Sequence, residues 1–411
     1  MMTDIEGVRQ QFPILRRNIG GHPLVYLDNA ATTQKPSCVL EKLQTFYSEQ
    51  NANINRGMHA LAEAATNAYE DARTIVAGFI GSDDPRSVIF TRNATESINI
   101  VARSWAASTL KPGDAIALTT MEHHSNIVPW LQLKETHGIR LEWIPVNEEG
   151  DPDLRILEKV LQTGRVKLVA MTGLSNVLGS MTPLEQCVSL AHEYEVRILI
   201  DGAQLLAHKD IDVSALDIDF LAFSGHKLYG PTGIGVLYGK TGLLEQMTPF
   251  FGGGDMIRSV TLDSFTCAEL PRKFEAGTPA IADAIALGEA LLWLKKTGLN
   301  DVHHYTQSLI VHAHDALRKI PGLTLFGPRD SSKRYGCASF AIDGVHPHDL
   351  TDILGREGIC LRAGHHCTQP LHKILGIPST TRLSVGIYNT KEEIDVTVTA
   401  LKRAATLLRK K

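Results

Sequence analysis

Short apolar runs alternate with longer mixed stretches through the middle of this chain. The runs Ser87–Phe90, Ala115–Leu118, Lys167–Met171, Val196–Ile200 and Asp219–Phe223 are nearly continuous in apolar character, and small or polar residues follow each. Such runs predict strands buried on both faces. Amphipathic stretches separate them, including one through Ile98 and Trp105. This rhythm predicts an α/β fold with a mostly parallel sheet covered by helices on both sides. Gly252-Gly253-Gly254 opens a long excursion, and Ile281 to Lys296 predicts one long helix. From about Asp301 the pattern changes to helix, strand, helix, strand and a final amphipathic helix ending in Arg409-Lys410-Lys411. We therefore expect a large domain over residues 23–288 and a smaller α+β domain over 289–411, with residues 1–22 packing on the latter.

The predicted strand ends carry the chemistry. Val196–Ile200 delivers Asp201 and Gln204 to a carboxyl end, and Asp219–Phe223 delivers Ser224, His226 and Lys227. Open α/β sheets bind ligands at that edge. A carboxylate and an amine converging there suit a cofactor that needs an anion at a pyridinium nitrogen and a lysine at an aldehyde, as pyridoxal phosphate does. Thr91–Ser97 follows a strand and opens a helix, so Thr95 and nearby N–H groups face an anion there. His123 or His124 could stack on an aromatic ring, and Asn176 offers an amide beside the same crevice.

Composition adds exclusions. The chain has 411 residues, 43% of them hydrophobic, and a net charge of −4 without a basic block, which argues against nucleic acid or an anionic membrane as partner. No apolar run reaches membrane-spanning length. Met1–Glu6 has acidic residues where a signal or transit peptide has basic ones. The six cysteines form no CxxC pair, so a reducing cytoplasm is the expected location.

A second constellation is Arg362-Ala363-Gly364-His365-His366-Cys367-Thr368-Gln369-Pro370, with Arg382 further on. Either arginine could take a substrate carboxylate bidentately. Cys367, among arginine and histidines, is a candidate nucleophile. A zinc site is disfavoured because adjacent residues diverge and no second ligand pair has the usual spacing. For Cys187 and Cys337, buried packing is the expectation.

Together these segments resemble the class-V aminotransferase-like family of fold-type I enzymes, and within it the group II cysteine desulfurases of the SufS/CsdA type. The resemblance runs through Tyr26–Ala31, Asn55–Gly57, Met121–His124, Ser175–Gly179, Ile200–Gln204, Phe223–Gly235, Glu275–Pro279 and Arg362–Pro370. It implies a seven-stranded sheet and pyridoxal 5'-phosphate as cofactor. By position it implies Lys227 as Schiff-base lysine, Asp201 at the pyridine nitrogen, Gln204 near the ring hydroxyl and His123 stacked on the ring with a catalytic part. Ala94, Thr95, Ser224 and His226 would surround the phosphate, with Thr278 arriving from the partner subunit of a homodimer. Asn176 and Arg382 would hold the substrate carboxylate, with Arg362 beside them, and Cys367 would receive sulfur. Asn55 stands where many such chains have His, and Asn93-Ala94 where Gly-Thr is usual.

The implied reaction converts L-cysteine to alanine, places sulfur on Cys367 as a persulfide and passes it to a SufE- or SufU-type acceptor for iron–sulfur cluster assembly. Gly344–Asp349 resembles the subgroup served by the zinc-containing acceptor, so His346 or His348 could meet that partner. The rival readings are a selenocysteine lyase or another β-eliminating enzyme, and a catalytically silent scaffold or metal-binding module using His365, His366 and Cys367.

Overall fold

The computed structural model describes residues 4–409, so the readings of Met1–Thr3 and of Lys410-Lys411 lie outside the described residues. The main sheet has seven strands: β1 (Val88–Thr91), β2 (Ala115–Thr119), β3 (Arg140–Ile144), β4 (Val166–Thr172), β5 (Arg197–Asp201), β6 (Phe220–Ser224) and β7 (Gly235–Gly239). Their order is β1-β7-β6-β5-β4-β2-β3. β7 runs antiparallel to both neighbours, and the other pairs are parallel. The mostly parallel α/β sheet expected from the apolar runs is present.

Each run forms a strand because both of its faces are covered. In β2, Ile116 and Leu118 join one apolar cluster with Ile98, Trp105 and Trp130, while Ala115 and Ala117 join another on the opposite face. Side chains of alternate residues point to opposite faces, so one strand feeds two cores. Helix α1 (Ala60–Phe79) and α3 (Ile281–Thr297) pack together on the second face, and α2 (Ala94–Ile100) lies on the first. Gly288 permits the close approach of α3 to α1, since a Cβ there would lie 3.1 Å from that of Ala72.

Beyond α3 the chain forms α4 (Leu299–Leu317), β8 (Leu323–Phe326), β9 (Cys337–Ile342), α5 (Pro347–Arg356), β10 (Arg362–Gly364), α6 (Gln369–Ile374), β11 (Thr380–Ser384) and α7 (Lys391–Arg409). The antiparallel sheet β8-β9-β11-β10 packs through Phe340, Ile342 and Leu383 on Leu309, Leu354 and Leu401 of the helices. The sequence reading expected fewer strands. β8 and β10 are short and partly exposed, so neither carries an apolar run that a pattern could register.

The N-terminal residues meet both parts of the molecule. Phe12 packs against Tyr229, Trp293 and Tyr388, Arg9 pairs with Glu393 at 2.9 Å, and Val25–Tyr26 lies parallel to Ile359–Cys360. The division at residue 288 stays a proposal, since α3 runs through it. All six cysteines are free, with Cys187 and Cys337 buried. Among the described residues, no helix is long and apolar enough to cross a membrane.

Candidate active site

Strands β4 and β5 end level, Thr172 opposite Asp201, and β6 runs two residues further, with Asp201 opposite Ala222. The loops leaving these ends enclose a cavity of about 360 Å³. Every residue to which the resemblance gives a cofactor, substrate or sulfur role lines it, except Thr278.

Asp201 is buried at the end of β5, and its Oδ1 accepts the Ala203 N–H at 3.0 Å. Burial raises its carboxyl above the ordinary value, while that hydrogen bond and Lys227 oppose the rise. Burial also pushes the Lys227 ammonium down to about 8, against the attraction of Asp201 and with help from Arg382. An amine so poised loses its proton readily, as an imine-forming or proton-moving lysine must.

The peptide before Lys227 is fixed by the N-terminal segment. The His226 carbonyl accepts from the Thr33 N–H at 3.0 Å, the Thr32 hydroxyl at 3.1 Å and the Lys35 ammonium at 3.0 Å. Lys35 is itself pushed down to about 7 by burial. Sequence reasoning missed this residue, because a lysine before a proline carries no local signal of burial.

His123 lines the cavity and His124 does not. The Ser125 N–H donates to His123 Nδ1 at 3.1 Å, so the neutral ring carries its proton on Nε2. Burial, then Lys227, holds this imidazole down to about 3. Behind it lies Glu122, another missed residue, whose carboxylate accepts from the Asn126 amide at 2.7 Å and the Thr172 N–H at 3.0 Å. Burial raises its carboxyl to about 8. Gln204 donates to the Ala30 carbonyl at 2.7 Å, which ties the β5 loop to the N-terminal segment.

At the start of α2, Asn93 caps the helix by accepting the Glu96 N–H at 3.0 Å. The Ser224 hydroxyl accepts the Ala94 N–H at 2.9 Å, which draws the α2 start onto the end of β6. Asn93 has an extended backbone that any residue adopts. The glycine required nearby is Gly235, where a Cβ would lie 2.5 Å from the Asn93 backbone.

On the opposite wall, Arg382 is buried and donates from Nη1 to the Asn176 carbonyl at 3.0 Å, while its Nε has no partner. Arg362 is half exposed and makes a fork with Asp28 at 2.8, 3.0 and 3.1 Å. This divides the two arginines: Arg362 is already paired, and buried Arg382 keeps an unsatisfied donor. Asp28 lies within the Tyr26–Ala31 motif, where no local pattern gives it a role, because its partners lie more than three hundred residues away. Cys367 is exposed at the cavity mouth.

Thr278 is exposed and lies outside this cavity. Its segment is anchored by Glu275, which pairs with buried Arg73 at 2.7 Å and accepts the Phe90 N–H at 2.7 Å. His346 caps α5 by accepting the His348 N–H at 3.3 Å, and the two rings stack with centroids 5.3 Å apart.

A family model described as aminotransferase class-V matches residues 25–396. The chain belongs to this family. Within the class-V aminotransferases, it is 48% identical over 396 residues to a probable cysteine desulfurase of Synechocystis sp., an alignment covering 96% of this chain and 94% of that one. A probable cysteine desulfurase of Vibrio cholerae is 44% identical over 408 residues, 99% of this chain and all of the other. Among solved structures, the cysteine desulfurase CsdA of Escherichia coli, in an S-sulfonic acid form, matches with a TM-score of 0.91 at 43% identity over 98% of each chain. The resemblance read from the motifs therefore holds along nearly the whole class-V chain.

Proposed function

We propose that the chain is a pyridoxal-phosphate-dependent cysteine desulfurase that converts L-cysteine to L-alanine and holds the released sulfur on Cys367. The observation carrying this reading is the convergence of Asp201, Lys227, Arg382 and Cys367 on one cavity. The donor set suits the cofactor: a buried carboxylate for the ring nitrogen, a lysine of lowered pKa for the aldehyde, and Thr95, Ser224 and His226 for the phosphate. With the cofactor bound, His123 would cover the ring, Gln204 would serve its hydroxyl, and Thr278 of a second copy would complete the phosphate site. When bound, the cofactor supplies an electron sink for carbanion chemistry.

The chain's own residues do the rest. Arg382, with its free Nε, and Asn176 take the substrate carboxylate. Asp201 keeps a proton at the ring nitrogen, and Lys227 moves the proton at the substrate α-carbon. The Cys367 sulfur attacks the substrate sulfur: an S–S bond forms, the substrate C–S bond breaks, and the proton given up by the thiol goes to the carbon. L-cysteine plus the thiol thus become alanine plus a persulfide.

This chemistry fits a reducing cytoplasmic setting and a persulfide handed to a SufE- or SufU-type acceptor for iron–sulfur assembly. The test is alanine release from L-cysteine by the cofactor-loaded protein and by Lys227→Ala. We expect the parent to release alanine and the variant to be inactive. A variant with parental turnover would overturn the assignment of Lys227.

A further inference from the structure

Cys367 occupies a turn that its sequence does not favour. His366 and Cys367 have φ of 51° and 58°, and the Thr368 N–H donates to the His365 carbonyl at 2.9 Å. Positive φ at both central positions suits asparagine and glycine, which tolerate the left-handed region. Histidine and cysteine persist there only when their surroundings hold them.

The holds come from the loops of the large sheet. Asn176 donates its side-chain amide to the His366 carbonyl at 2.8 Å. The His124 N–H donates to the Cys367 carbonyl at 2.8 Å. The His124 ring nitrogen Nε2 accepts the Gln369 N–H at 3.1 Å. One histidine thus grips the chain at the sulfur-bearing residue and two residues beyond it, by main chain and by ring. Burial, then His365, keeps its imidazole below the ordinary value, which favours the neutral ring that this acceptor role requires. One peptide away, His123 faces the cavity.

We propose that His124 is a positioning residue for the sulfur-transfer step, holding Cys367 in the left-handed turn that presents its Sγ to the cavity. The inference rests on Cys367 being the sulfur acceptor. It assigns the two neighbouring histidines to different tasks: His123 to the cofactor side, His124 to the aim of the thiol. A loss at His124 therefore affects the arrival of sulfur and leaves substrate capture intact.

His124→Leu removes the ring acceptor and keeps the backbone N–H, while His124→Gln returns a side-chain acceptor. The cofactor-loaded proteins are mixed with L-cysteine for a single turnover, and persulfide on Cys367 is followed by mass spectrometry beside the cofactor absorbance change on substrate addition. Hydrogen exchange of residues 365–370 is measured without substrate. Misplacing a reacting group by an ångström costs up to about a hundredfold, so we expect His124→Leu to slow persulfide formation at least about tenfold, with His124→Gln within about threefold of the parent. Exchange in the Leu variant should rise at least about tenfold, as expected when a local hold opens. The absorbance change should keep its parental rate. A Leu variant with parental persulfide formation or exchange, or one that loses the absorbance change equally, would overturn the proposal, as would a Gln variant as impaired as Leu. A parent without persulfide would sink the functional reading alone, and the exchange comparison would still decide the hold.

Discussion

Asp28 and Arg362, far apart in sequence, form a forked ion pair at 2.8, 3.0 and 3.1 Å beside the cavity. Arg362 lies directly opposite Arg382 on the next strand, and Arg382 also reaches Asp28, at 3.4 Å. Like charges facing across strands repel, so the Asp28 carboxylate neutralises a pair that the sheet brings together. We expect Asp28→Asn to lower stability by about 1–3 kcal/mol, the range for hydrogen bonds to charged groups, reduced because Arg362 is half exposed. Thermal unfolding checks this: an unchanged melting temperature would show the arginines indifferent to Asp28.

Glu275 offers a sharper contrast. Its partner Arg73 is 1% exposed, and the carboxylate also accepts from the Phe90 N–H and the Tyr69 hydroxyl. Removing one member of a buried pair costs about 3–5 kcal/mol, which is the loss expected of Glu275→Ala. Glu148→Ala, which breaks an exposed pair with Arg329, should cost at most about 1 kcal/mol. Denaturant unfolding of the two variants should separate them clearly, and equal losses would refute the argument from burial.

Much of this architecture is legible in the sequence, for a physical reason. β2, β5 and β6 are buried on both faces, so their apolar runs stand out, and the polar residues ending them, such as Asp201 and Ser224, are those a ligand meets. β7 escaped notice because glycines bracket its short apolar run, which reads more naturally as a loop. β10 is a three-residue strand at the sheet edge whose Arg362 and Gly364 carry no strand signature. Asp28, Lys35 and Glu122 were opaque as participants because their roles depend on residues brought near only by folding. Lys35 is defined by the His226 carbonyl, and Glu122 by the Thr172 N–H.

The depressed histidines carry a pH signature. Burial, then His303, holds His208 down to about 3, and burial, then Arg382, holds His366 down to about 2. Free histidine titrates near 6.5. Below that value the unfolded chain takes up protons that the folded chain refuses, so the stabilisation present above about 6.5 is lost as the pH falls. His208→Gln cannot take up that proton. The stability of the parent relative to this variant should therefore decline from pH 6.5 to 4 and stay level above 7, measured by thermal unfolding at each pH. A difference that is constant throughout would contradict the burial of a neutral His208.

The central claim is that Cys367 receives the sulfur of L-cysteine in a cavity whose other residues capture the substrate. The most direct measurement is one turnover of the cofactor-loaded protein with L-cysteine, following alanine, cofactor absorbance and the mass of the Cys367 peptide together. In the parent, alanine and a persulfide on Cys367 should appear in equal amounts. In Cys367→Ser, the absorbance should still change on substrate addition while alanine and persulfide are absent. Alanine formed by the serine variant at the parental rate, or sulfur found on another cysteine, would contradict the account.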